Sequence, residues 1–108
     1  MSVYIHHVAL KTTDLEASVK FFEEVFGMTV QKVRGEAPAR KLWLDQGIQL
    51  NEVASYGDGA NAFDHFAVNV DNVAEVVAKA EAHGCSRLPG KDHWFAMPDG
   101  LLIELMND

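Results

Sequence analysis

The sequence predicts an α+β protein: two βαβββ repeats forming an open, barrel-like curved mixed sheet with helices on its outer face. Three observations predict it. A strand-like alternation followed by a capped amphipathic helix occurs twice, once in each half. Short segments of the two halves match: His7-Val8-Ala9-Leu10 with His65-Phe66-Ala67-Val68, and Ile48-Gln49-Leu50 with Ile103-Glu104-Leu105. Composition sets the scale, because 108 residues that are 48% hydrophobic and 23% charged make one globular domain. A chain of that length buries roughly 65% of the surface it exposes when unfolded. The domain is therefore expected to span 1–108, with repeat one at about 1–54 and repeat two at about 63–108.

The elements follow in order. Val3 to Lys11 alternates and is rich in β-branched residues, which predicts a strand with Val3, Ile5, His7 and Ala9 on one face. Thr13-Asp14-Leu15-Glu16 has the form of a capping box with Thr13 as cap. Leu15, Val19, Phe22 and Phe26 then recur at helical spacing up to Gly27, and the Phe21, Phe22, Phe26 cluster reads as core packing. Short strands are expected at Met28–Arg34, Arg40–Leu44 and Ile48–Val53, with a glycine-rich loop over Ser55–Ala62. The pattern then restarts. Phe63–Val70 is a strand, Asn72 with Glu75 caps a helix carrying Val73, Val76, Val77 and Ala80, and Gly84 ends it. Three short strands follow around Cys85–Leu88, His93–Met97 and Leu101–Met106. His7 to Gly27 spans 20 positions and His65 to Gly84 spans 19, so the repeats align with one gap.

Charge and cysteine content exclude several functions. Nine Lys and Arg stand against 16 Asp and Glu, a formal charge of -7, which disfavours nucleic acid and anionic membranes as partners. No apolar run approaches the ~20 residues needed to span a bilayer. The Met1-Ser2-Val3-Tyr4 start has no basic region or cleavage site, and the lone Cys85 can form no internal disulfide, so a cytoplasmic location is expected.

The repeat also singles out polar residues. Gln49 and Glu104 each sit between two apolar strand residues, and His7 and His65 are each followed by one. If Val8, Leu10, Ile48, Leu50, Phe66, Val68, Ile103 and Leu105 face the helices, the four polar groups turn to the opposite, concave face. The repeat pairs His7 with His65 and Gln49 with Glu104. Two imidazoles and a carboxylate in an apolar-walled cleft are a metal-site composition. Ala9 and Ala67 follow on the same face and leave space there. Asn51 shares the parity of Gln49, so either can be the fourth group, whereas Glu52 falls on the other face. His6 alternates away from the concave face and reads as structural, and His83 sits at a helix end. Cys85 has no base beside it. Trp43 and the His93-Trp94-Phe95 run fit either a cavity wall or the core.

These motifs resemble the vicinal oxygen chelate superfamily of glyoxalases, methylmalonyl-CoA epimerases, bleomycin-resistance proteins and extradiol dioxygenases. The resemblance rests on His7-Val8-Ala9-Leu10 with Asp14-Leu15, on Phe21-Phe22-Glu23 to Phe26-Gly27-Met28, on His65-Phe66-Ala67-Val68 with Asp71, and on Pro98-Asp99-Gly100 leading to Ile103-Glu104-Leu105. It implies that His7, His65 and Glu104 hold a divalent metal ion, with Gln49 in the fourth position. Bacterial glyoxalase I has glutamate there, and methylmalonyl-CoA epimerase is similar to this chain in its His, Gln, His, Glu set.

The expected function is therefore a small metal-dependent enzyme of isomerase, epimerase or lyase type, acting by Lewis-acid catalysis on an oxygen-chelating substrate with Glu104 moving the proton. Zn, Ni, Co, Mn or Fe(II) suits the donor set. The alternative is a metal-free binder of bleomycin-resistance type that sequesters a small ligand. The expected partners are a small-molecule substrate and a second copy in a homodimer, and the cavity can form within one chain or across that dimer.

Overall fold

In the computed structural model, which describes residues 3–57 and 62–108, the elements occur in the order that the alternation predicts. They are β1 (Tyr4–Thr12), α1 (Leu15–Phe26), β2 (Val30–Arg34), β3 (Lys41–Leu44) and β4 (Ile48–Glu52), then β5 (Phe63–Asn69), α2 (Val73–Ala82), β6 (Ser86–Arg87), β7 (Trp94–Ala96) and β8 (Leu102–Met106). This is the α+β pattern of two βαβββ repeats. A single 3₁₀ turn over Asp45–Gly47 joins β3 to β4. Part of the expected Ser55–Ala62 loop, residues 58–61, lies outside the described residues. No described helix is long and apolar enough to cross a membrane.

The chain divides into two units, His7–Asp64 and residues 3–6 with His65–Asp108. In the first, the strand order is β2-β3-β4-β1. Strand β1 runs parallel to β4, with Ala9 opposite Gln49 and Leu10 opposite Leu50. Strands β3 and β4 are antiparallel, with Trp43 opposite Gln49 and Leu42 opposite Leu50. Alternation then sends Leu42, Leu44 and Leu50 to one face, where they bury against Leu15 of α1. Leu10, Val19, Phe22, Met28 and Ile48 pack around them.

The second unit repeats the plan with the order β5-β8-β7-β6. Strand β5 is parallel to β8, with Ala67 opposite Glu104, and β7 is antiparallel to β8, with Trp94 opposite Glu104. Its core is Val70, Val77, Phe95 and Leu105, flanked by Val73, Val76 and Ala80 from the predicted helix stripe. The two registers are equivalent: Ala9, Gln49 and Trp43 in one unit occupy the places of Ala67, Glu104 and Trp94 in the other.

Two expectations for α1 are corrected. The cap is Asp14, not Thr13: its carboxylate accepts from the Ala17 amide, and the hydroxyl of Thr12 in turn accepts from the Asp14 amide. The Asp14 carboxylate, one residue nearer the helix, reaches the orphan amide, and Glu16 binds Arg40. The phenylalanines also divide. Phe22 packs on the core, but Phe21 and Phe26 are 53% and 61% exposed. The helix runs past its hydrophobic cluster after Phe22, and the outer rings meet each other edge-on with centroids 5.9 Å apart. The second helix is capped as expected, by Asn72 accepting from the Glu75 amide, with Gly84 following at φ 94°. Gly27 takes the left-handed conformation that ends α1, at φ 72°.

Candidate functional site

Strand β5 places His65 and Ala67 on the face opposite the core, and both are buried. Glu104 lies opposite Ala67 on β8, so His65 is its diagonal neighbour on the same face. The imidazole Nε2 stands 3.2 Å from the carboxylate Oε1 of Glu104. The Trp94 ring, also opposite Glu104, meets the imidazole edge-on with centroids 4.5 Å apart. Trp94 is thus a wall of this site, while its neighbour Phe95 belongs to the core and His93 turns to Asp92. The sequence left Trp94 open between these roles, and its register with Glu104 decides between them.

The other unit carries the equivalent positions. His7 and Gln49 are each 5% exposed, and Ala9 between them in register is fully buried. The Gln49 amide nitrogen donates to Asn51 Oδ1 at 2.8 Å, so the two alternatives for the fourth group share one face and one hydrogen bond. Glu52 is on the opposite face, as parity predicts, where both of its oxygens accept from Arg40. That guanidinium holds the Glu52 carboxyl well below the usual carboxylate range, at about 2.

The remaining candidates fall outside these faces. His6 pairs with Asp108, His83 is the residue that ends α2, and Cys85 packs beside the second core. One feature escaped the sequence reading. Trp43 lies beneath two cations, with Lys32 Nζ 4.5 Å and the Arg34 guanidinium carbon 6.0 Å from its ring centroid. The signal was present in the alternation of Lys32 with Arg34 and of Lys41 with Trp43.

A buried imidazole nitrogen beside a half-buried carboxylate oxygen is a donor pair suited to a divalent ion of the N/O-binding class. The His65–Glu104 pair therefore fits a metal.

Paired βαβββ units with a His/Glu pair on the sheet face define a protein of the glyoxalase-like class. The family model described as "Glyoxalase/Bleomycin resistance protein/Dioxygenase superfamily" matches residues 4–105, and the chain belongs to that superfamily. Among curated proteins, it is 34% identical over 74 residues to a trivalent organoarsenical cleaving enzyme of Bacillus sp. (strain MD1), covering 67% of this chain and 44% of that protein. It is 27% identical over 121 residues to a lactoylglutathione lyase of Arabidopsis thaliana, covering 93% of this chain and 42% of that protein. The chain thus spans less than half the length of both curated relatives. Among solved structures, a hypothetical protein from Bacillus halodurans superposes with a TM-score of 0.78 at 14% identity, covering 100% of this chain and 96% of that one. A methylmalonyl-CoA epimerase in complex with methylmalonyl-CoA and NH4+ superposes with a TM-score of 0.71 at 20% identity, covering 97% and 94%. These two likenesses concern the fold.

Proposed function

We propose that the chain is a small metal-dependent enzyme that isomerises, epimerises or cleaves an oxygen-chelating substrate. The observation that carries this reading is the repeat equivalence: His65 stands beside Glu104 in one unit, and His7 and Gln49 occupy the same register positions in the other. In this reading His7, His65 and Glu104 hold one divalent ion and Gln49 is the fourth group. The ion, when bound, supplies Lewis acidity toward the substrate oxygens. The chain's own residues do the rest. A carboxylate oxygen of Glu104 accepts a proton from one substrate carbon and delivers it to the adjacent one. The Trp94 ring fixes the plane of the His65 imidazole. Gln49 donates through its amide and accepts no proton at any ordinary pH. The methyl groups of Ala9 and Ala67 leave room beside the two imidazoles. The names of the relatives, which include a lyase and an epimerase, agree with this class of reaction. The same reading takes the protein to act as a homodimer, which sedimentation would check.

Calorimetric titration of metal-free protein with Zn, Ni, Co and Mn tests the proposal. Wild type should bind one ion per chain. His65→Ala and Glu104→Ala should each weaken binding by more than the ~10–100-fold that loss of an outer-shell partner costs. Equal affinities in wild type and His65→Ala would overturn the site. No binding by wild type would leave the metal-free ligand binder as the better reading.

A further inference from the structure

We infer that the strand face carrying Lys11, Lys32, Arg34 and Lys41 is a subsite for an oxyanion, the carboxylate or phosphoryl tail of the substrate, an assignment that rests on the enzymatic reading above. The registers put these residues together. Arg34 lies opposite Lys41, Lys41 opposite Asn51, and Asn51 opposite Lys11, a row crossing all four strands of the unit. The adjacent row is Lys32, Trp43, Gln49 and Ala9. All of these side chains share the face of Gln49. Two residues along a strand is about 7 Å, so the cationic row lies that far from the row of Gln49.

Three features separate this row from a solvated surface. First, no carboxylate is described on it. The chain has 16 acidic residues against 9 basic, yet the only one described in these four strands is Glu52, which turns to the other face and binds Arg40. Lys20, Arg40, Lys79 and Arg87 all have carboxylate partners within 4 Å, whereas no such partner is described for Lys91 or for the four cations of this face, which alone are gathered in one register. Second, Arg34 directly faces Lys41 across an antiparallel pair, an arrangement that costs stability and that folding does not require. Third, the other repeat lacks the row. The same face there presents Trp94, Ala96, Leu102 and Met106, with a single described cation, Lys91, 5.7 Å from the Trp94 ring centroid, and Arg87 of β6 lies opposite Phe95 of the core face. A bound oxyanion relieves the repulsion and takes charge-assisted hydrogen bonds from Arg34 and the lysines. Lys32 over the Trp43 ring makes that indole a reporter of the event.

Inorganic phosphate and malonate, titrated into metal-free protein at low salt, provide the test, with tryptophan emission as the readout. Wild type should bind at least one of them saturably, and added NaCl should weaken the binding. Arg34→Gln/Lys41→Gln should bind at least ~10-fold more weakly, the loss expected for a hydrogen bond to a charged group. Trp43→Phe should lose the signal while calorimetry still detects binding. Tighter phosphate binding would identify a phosphoryl tail, and tighter malonate binding a carboxylate tail. Absence of saturable binding, or equal binding by the double variant, would overturn the subsite. The failure of the enzymatic reading looks different: wild type and the double variant would both bind no metal, with anion binding intact in wild type.

Discussion

Arg40 grips Glu52 through two hydrogen bonds of 2.8 and 2.7 Å and reaches Glu16 on α1 at 2.9 Å. Its guanidinium lowers both carboxyls, Glu52 to about 2. A folded-state value below the unfolded one, ordinarily about 4.3 for glutamate, stabilises the fold above that pH. The contribution is lost as pH falls toward 2. Arg40→Gln should therefore lower the melting temperature at pH 7 and flatten its decline between about pH 4 and pH 2. Melts across that range check it, and a decline as steep as wild type's would refute the role. No sequence pattern announced this trio, because its members come from α1, β3's approach and β4, and contacts that distant leave no periodicity. The opposite holds for Gln49. Its type and parity were legible at once, and they carry a prediction about chemistry. Moving a proton between the two carbons of a chelated hemithioacetal is faster with a second base beside Glu104, and Gln49 accepts no proton. Wild type should therefore be a poor catalyst on the methylglyoxal–glutathione adduct, and Gln49→Glu should raise its turnover, since a positioned general base contributes ~100- to 10,000-fold. Wild-type turnover near ~10 per second, the enzymic norm, would show that Gln49 is no impediment.

Among the elements, α1 shows how far local signals reach. Its existence, its stripe of Leu15, Val19 and Phe22 and its glycine stop were legible, because periodicity and left-handed geometry are properties of neighbouring residues. The cap was misplaced by one position because Thr13 and Asp14 are both good caps, and only the path of the chain out of β1 decides which reaches an amide. Asp14→Ala should cost about 1 kcal/mol in urea unfolding, and Thr13→Ala much less. The exposure of Phe26 was illegible for a similar reason, since helical spacing does not say where the packed cluster ends. Strand pairing has a prediction of its own. Lys41→Gln removes the like charge facing Arg34, so it should stabilise the protein by ~0.2–1 kcal/mol at low ionic strength. Added salt should shrink that gain, because exposed charges are screened within about 10 Å at 0.1 M. A loss of stability at low salt would refute the repulsion.

At the scale of the whole molecule, the two repeats were the most legible feature, because matching strands carry matching residues. Each unit closes its own hydrophobic cluster, and Leu50, 1% exposed, is central to the first. Leu50→Ala should destabilise by roughly 2–5 kcal/mol, read from urea unfolding. The pairing that joins His65 to Glu104 was legible only through the repeat, since 39 residues separate them in the chain. Gln49 and Glu104 hold the same register position in the two units. Their side chains have nearly the same shape, and their codons differ by a single base. A point mutation in either gene segment therefore exchanges an amide for a carboxylate without disturbing a strand. A lineage bearing this duplication can alter the charge of its sheet face in one heritable step and reverse it in another.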